Sequence, residues 1–233
     1  ERADSLGVDV INTSLGYTTY DNPNYSHTQA DMDGNTTYIT RGANIAFEKG
    51  LLLVTSAGNS GNKPWGIVSA PADASGVFTI GAVDLNGNYA AFSSRGNTTQ
   101  SNHKPDVVAR GQESAVIGTD DIVNYLNGTS FSSPILAGGL VCLWQALPNK
   151  TNAELMQLVR ESSSQFLTPD YFLGYGIPDL QLALNAALSI KDIKDESLSV
   201  YPNPTRGLIY FNSSLDKTES SVRIFNILGE EIK

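Results

Sequence analysis

Asn127-Gly128-Thr129-Ser130-Phe131-Ser132-Ser133-Pro134 decides how this chain is read, because small and hydroxylated residues pass directly into an apolar segment, Ile135 to Leu147. A helix beginning at about Ser130 puts that hydroxyl where unpaired backbone N–H groups and the positive end of the helix dipole favour negative charge. Pro134 is expected to be accommodated close to the helix start. Gly128 lets a ligand approach the backbone closely. These eight residues fit a serine nucleophile, and they fit an ordinary Ser/Thr-capped helix equally well.

Upstream, Val8 to Asn12 is rich in β-branched residues and delivers the turn Thr13-Ser14-Leu15-Gly16, as a buried strand would. Tyr17 to Gly34 has the composition of a long surface loop, in which Asp31 and Asp33 suit solvated turn positions better than calcium ligands. Apolar residues at helical spacing from Thr37 to Lys49, stopped by Gly50, predict an amphipathic helix. Leu51 to Val54 follows as a strand leading into Ser56-Ala57-Gly58-Asn59-Ser60-Gly61, so the order strand, helix, strand implies a parallel pair. Val77 to Val83, Pro105 to Ala109 and Ser114 to Ile117 predict further strands. Thr151-Asn152-Ala153-Glu154 has the form of a capping box, and a last helix starts near Pro178. The fold class is α/β, with a mostly parallel sheet flanked by helices. Open sheets of this kind bind ligands at the C-terminal ends of their strands.

Three turns therefore converge in expectation: Thr13 to Gly16, Ala57 to Asn59, and Gly128 to Ser130. Acyl transfer needs a nucleophile, a preorganised oxyanion donor and an extended edge for a peptide backbone. Ser130 would attack, the Asn59 amide with the Ser130 backbone N–H would bind the oxyanion, and Ser14-Leu15-Gly16 would pair with substrate. Gly58 would keep the approach open, and Ser60, Gly61, Trp65 and Gly66 border a specificity pocket in which Trp65 suits loop packing as well.

Val10 to Gly16, Ala57-Gly58-Asn59-Ser60-Gly61, Phe92-Ser93-Ser94-Arg95-Gly96 and Asn127 to Pro134, in that order, resemble the C-terminal part of a subtilisin-like serine peptidase. The resemblance implies a three-layer fold over residues 1–187, with Ser130 as nucleophile and Asn59 in the oxyanion hole. It also implies substrate contacts at Ser14, Leu15, Gly16, Ala57, Gly58 and Thr129. Val200 to Gly207 with Val222 to Gly229 resembles the start of the C-terminal sorting domain used by type IX secretion in Bacteroidetes. That implies a linker over 188–197, a truncated β-rich module over 198–233, a secreted or cell-surface location, and the type IX machinery as a partner of the full-length protein.

In the subtilisin family the catalytic Asp and His precede the strand carrying Ser14-Leu15-Gly16. The two histidines, His27 and His103, match neither position and suit the surface. Asp9, Asp84 and Asp106 suit turns or strand ends. The sequence therefore predicts a fragment that begins downstream of its general base and is inactive alone. The rival reading is a non-catalytic surface or adhesion protein that keeps the scaffold for binding. A third reading, a nucleotide-binding α/β protein, is weaker still, because Gly58 to Gly66 lacks the Gly-Lys-Ser/Thr ending of a phosphate loop.

Composition is that of a globular protein. Hydrophobic residues make up 40% of 233 residues, enough for a core. A net charge of −9 argues against non-specific nucleic-acid binding. No apolar run approaches the roughly 20 residues of a membrane span. Cys142, the single cysteine, is expected to pack in the core. No cofactor is implied, calcium is left without assignable ligands, and the protein is expected to be a monomer acting on a peptide or protein substrate.

Overall fold

The computed structural model describes residues 1–100, 102–188, 199–202, 204, 207–212, 223–226 and 230–232. These divide into two units, Glu1–Leu188 and Ser189–Lys233. In the first, β1 (Val10–Thr13), β2 (Leu52–Ser56), β3 (Val77–Val83) and β4 (Val107–Arg110) form one parallel sheet in sequence order. β2 and β3 are buried along their whole length, as strands covered on both faces must be.

The alternation of side chains along β2 and β3 defines the two faces. Leu52, Val54, Phe78 and Ile80 point toward α3 (Thr129–Ala146), which packs over all four strands and is backed by α4 (Asn152–Glu161) and α5 (Leu180–Leu188). Leu53 and Val77 point the other way, onto Ala43 of α2 (Tyr38–Glu48). The result is three layers. A four-residue helix, α1 (Arg2–Ser5), precedes β1. The expected α/β architecture and its predicted helices are present, and Gly50 closes α2 at a φ of 94° that favours glycine.

The departures have local causes. β5 (Ser114–Ile117) pairs antiparallel with β6 (Val123–Leu126), a strand the sequence reading omitted. All four residues of β6 are exposed, so no burial pattern marked it. Cys142 is exposed rather than in the core. α3 buries Leu136, Leu140 and Leu143 at intervals of four and three, and at about 100° per residue position 142 falls on the opposite face. The N-cap of α3 is Gly128 with no side-chain cap, so the Ser/Thr-capped reading does not hold. Tyr17 to Gly34 contains two short 3₁₀ turns, Pro23–Tyr25 and Gln29–Asp31, and fully buries Met32 against Ile67 and Ala70.

The acidic residues of that loop serve as caps. Asp31 accepts hydrogen bonds from the Thr28 backbone N–H and hydroxyl, and Asp33 accepts from Asn35 N–H, Thr36 N–H and the Thr36 hydroxyl. Among the described residues no group of three or more His, Cys, Asp or Glu side chains could hold a metal ion. Asp84 caps the turn at Asn86 and Asn88, and the Asp9 carbonyl accepts from Leu52 N–H.

In the second unit β7 (Ser199–Tyr201) pairs antiparallel with β8 (Tyr210–Asn212), and β9 (Ile224–Phe225) with β10 (Glu231–Ile232). Leu198, Val222 and residues 189–197 of the expected linker lie outside the described residues.

A buried charge cluster ties the sheet to α4. Asp106 accepts from the fully buried Lys104 ammonium at 3.0 Å, from Thr79 N–H at 2.8 Å and from Arg160 at 3.0 and 2.5 Å. Burial alone would raise the Asp106 carboxyl, but Lys104 and Arg160 hold it below the ordinary range. Burial pushes the Lys104 ammonium down. Asp106 therefore binds a proton less readily folded than unfolded. Its contribution is present above its unfolded pKa of about 4 and is lost as pH falls toward its lower folded value. Asp73, raised by burial despite bonds from Thr40 and Gly34, has the opposite sign and stabilises most below its unfolded value. Asp106→Ala, which leaves Lys104 buried without its carboxylate, is expected to cost roughly 3–5 kcal/mol. Urea unfolding at pH 7 checks this. Between pH 4 and 2 the deficit should shrink, because wild type loses the same contribution there.

Candidate active site

The site is assembled where β1, β2 and α3 end or begin at the same edge of the sheet. Ser14 is the first residue after β1, Ala57 the first after β2, and Thr129 the first of α3. Ser14 and Ser130 are joined reciprocally: the Ser14 hydroxyl donates to the Ser130 carbonyl at 3.2 Å, and the Ser130 hydroxyl donates to the Ser14 carbonyl at 3.4 Å. The second bond is at the long limit and holds the Ser130 hydroxyl weakly. Ser130 is half-buried, and its backbone N–H lies in the first turn of α3, where no intrahelical carbonyl reaches it.

Thr129 fixes Asn59. The Asn59 Oδ1 accepts from both the Thr129 backbone N–H, at 2.9 Å, and the Thr129 hydroxyl, at 3.0 Å. An N–H donor requires an oxygen acceptor, so this contact settles which end of the amide is which. Nδ2 is therefore turned toward solvent, beside Gly128, and among the described residues it has no acceptor. The Thr129 hydroxyl in turn accepts from Gly58 N–H at 3.1 Å. Thr129 is fully buried, and its contacts here are with Asn59 and Gly58.

Gly58 is required twice over. Its φ is 105°, and an added Cβ would lie 2.9 Å from the Ser94 hydroxyl oxygen. Ser94 N–H donates to the Gly58 carbonyl and the Ser94 hydroxyl accepts from Ser60 N–H, so Phe92 to Gly96 braces the Asn59 loop from behind. The crowding is with the protein wall at Ser94 and Ser69.

The edge Ser14-Leu15-Gly16 is held by Tyr17 N–H donating to the Ala70 carbonyl at 2.8 Å. An added Cβ at Gly16 would collide with the Ser69 hydroxyl. Ser69 and Ala70 were missed in the sequence, where nothing tied them to the strand some 55 residues earlier. Leu15 is 60% exposed, whereas the Ala57 side chain is fully buried. Asn12 accepts from the Ser133 hydroxyl at 2.7 Å, a second tie between β1 and α3. Trp65 packs on the cluster of Met32, Ile67 and Ala70 and donates to the Val68 carbonyl at 3.4 Å.

Neither histidine hydrogen-bonds Ser130. His27 is held by Thr18 through its backbone N–H and meets the Tyr20 ring edge-on, and His103 stacks on Tyr171. Asp106 is saturated by its buried cations. Ser130, Asn59, Ser14, Leu15, Gly16, Gly58 and Thr129 are thus gathered together, and no general base accompanies them among the described residues.

Comparison with known proteins supplies the family and the fold. A family model described as "Subtilase family" matches residues 1–176, and one described as "Secretion system C-terminal sorting domain" matches residues 199–233. The chain is 31% identical over 174 residues to a thermophilic serine proteinase of Bacillus sp. (strain AK1), covering 75% of this chain and 37% of that protein. It is 28% identical over 184 residues to subtilisin DY of Bacillus licheniformis, covering 78% of this chain and 59% of that one. Among solved structures, the self-cleaved protease domain of PatA matches at 23% identity and a TM-score of 0.61, over 79% of this chain and 64% of that one. MycP1 from the ESX-1 type VII secretion system matches at 25% identity and 0.59, over 78% and 52%. The chain spans less than two thirds of the length of each.

Thr129→Val removes both hydroxyl bonds and leaves Gly58 N–H without its acceptor. The expected loss is about 1–3 kcal/mol in urea unfolding, while Thr129→Ser should retain most of the stability.

Proposed function

The chain belongs to the subtilase family, and from that premise we propose that it carries the nucleophile, oxyanion hole and substrate edge of a secreted serine endopeptidase. The observation that carries this reading is the Ser14–Ser130 and Asn59–Thr129 cluster, drawn from three segments more than 40 residues apart. The sorting module at 199–233 marks the protein for secretion or the cell surface, and no helix among the described residues is long and apolar enough to cross a membrane.

In the proposed reaction a peptide lies in extended form along Ser14-Leu15-Gly16, its backbone pairing with that edge. The Ser130 hydroxyl attacks the scissile carbonyl, its proton passes to a general base, and the carbonyl oxygen becomes an oxyanion. The Asn59 Nδ2 amide and the Ser130 backbone N–H donate to that oxyanion. The base hands that proton to the departing nitrogen as the intermediate collapses, which expels the amine and leaves an acyl ester on Ser130 that water then cleaves. Thr129 acts through Asn59, holding the amide in the orientation that donates.

The base belongs to the part of the family pattern that precedes β1. The outer edge of β1 pairs with no strand among the described residues, and a cleft of about 500 Å³ beside it is lined by Val10, Val141 and Trp144. A further parallel strand on that edge would end beside Ser14 and Ser130, where a base must stand. The intact nucleophile and its prepared amide favour this reading over a binding-only scaffold, which would need neither.

Two measurements test it. The 233-residue chain alone should hydrolyse a fluorogenic peptide no faster than its Ser130→Ala variant; robust turnover abolished by that substitution overturns the assignment of the base to residues before β1. In a longer form bearing the family's Asp and His, a fluorophosphonate should label Ser130. There Asn59→Ala should lower kcat by about 10²–10³, a magnitude carried over from peptidases of this family.

A further inference from the structure

The hairpin that leads into Ser130 presents an apolar face that is exposed among the described residues. Cross-strand partners project on the same side of an antiparallel pair, and the register sets Ala115 opposite Tyr125 and Ile117 opposite Val123. These four form one face, on which Ile117 is 76% exposed, Val123 55% and Tyr125 66%. On the other face Ser114 is buried and donates to the Arg110 carbonyl and Val116 is half-buried, while Asn124 and Leu126 are exposed. The turn at the tip carries two exposed acids, Asp120 and Asp121.

We infer that this apolar ladder and its acidic tip bind the half of an extended peptide substrate that Ser14-Leu15-Gly16 does not hold, and that they select apolar residues followed by basic ones. The inference rests on the peptidase reading of Ser130. Its support is continuity. β6 ends at Leu126 and Ser130 follows four residues later, so Tyr125 and Val123 lie within about 17 and 24 Å of Ser130 along the chain. Gly128 N–H is bonded to the Gly111 carbonyl after β4, whereas Ser14 follows β1 at the opposite edge of the sheet. Ser130 sits between the two, and a peptide crossing it from the Ser14 edge runs on toward the hairpin. Because those lengths are upper bounds, an extended chain reaches the ladder within about five to seven residues of the cleaved bond.

Size argues against a second copy as the occupant. Two strands of four residues, about 14 Å long and about 5 Å apart, give a face on the order of 100 Å², far short of the roughly 800 Å² per partner that stable complexes bury. The tip supplies charge complementarity to lysine or arginine, with a contribution that salt should screen.

The test uses the 233-residue chain and a fluorescein-labelled peptide of alternating valine and serine ending in two lysines, followed by anisotropy. Ile117→Ser with Tyr125→Ser should weaken binding at least tenfold, with folding confirmed by circular dichroism. Asp120→Asn with Asp121→Asn should weaken it severalfold and flatten its salt dependence. Asparagine keeps the bond that Asp120 accepts from Ile122 N–H and tolerates the φ of 60° at Asp121. A longer peptide continuing toward Ser14-Leu15-Gly16 should bind more tightly than the probe, with the gain lost in Leu15→Ser. Absent wild-type binding, equal affinity in the ladder variant, or no gain from the longer peptide overturns the inference. So does a wild-type dimer in sedimentation that the ladder variant dissolves. Ser130→Ala should leave probe binding unchanged, so failure of fluorophosphonate labelling would sink the peptidase reading without moving this result.

Discussion

One helix resting across one sheet governs this molecule. α3 covers β1 to β4, and the same burial of Leu136, Leu140 and Leu143 that holds the core fixes where the helix begins. Its first turn arrives at the C-terminal edge of the sheet, beside the residues that follow β1 and β2. Short polar ties then lock that position: Ser133 to Asn12, Ser130 to Ser14, and Thr129 to Asn59 and Gly58. None of these bonds is worth more than about 0.5–1.5 kcal/mol net. They set geometry that burial has already made affordable.

The same face of the sheet is held toward β4 by different physics. Phe78 stands between two kinds of partner, the aliphatic face of α3 and the Arg160 guanidinium, whose centre lies 5.6 Å from its ring. Arg160 reaches from α4 to Asp106, and Asp106 holds Lys104, whose ammonium also donates to the Val77 carbonyl at 2.6 Å. Two cations and one carboxylate thereby stitch α4, β3 and the entry to β4 into one body. Removing any one member exposes the desolvation cost of the others.

Much of this was legible because the deciding signals are local. The β-branched runs, the box at Thr151 to Glu154 and the glycine after α2 each specify a conformation with a few residues. The three turns were recognisable for the same reason. What stayed hidden was long-range or relative. Thr129 shows only a hydroxyl in the sequence, and its grip on Asn59 exists only once segments 70 residues apart meet. Cys142 was misplaced because an almost uniformly apolar helix does not say which side faces out. β6 went unseen because Val-Asn-Tyr-Leu is exposed throughout, and exposure erases the alternation by which a half-buried strand is recognised.

The misplaced cysteine has a use. Cys142 is the single thiol in the sequence, it is exposed, and it shares one rigid helix with Ser130 twelve residues earlier, about 18 Å along the axis. A dye attached there stands at a fixed distance from anything bound at the nucleophile. The protein thus contains its own molecular ruler, with one end at the chemistry and the other at a position where a label disturbs no buried contact.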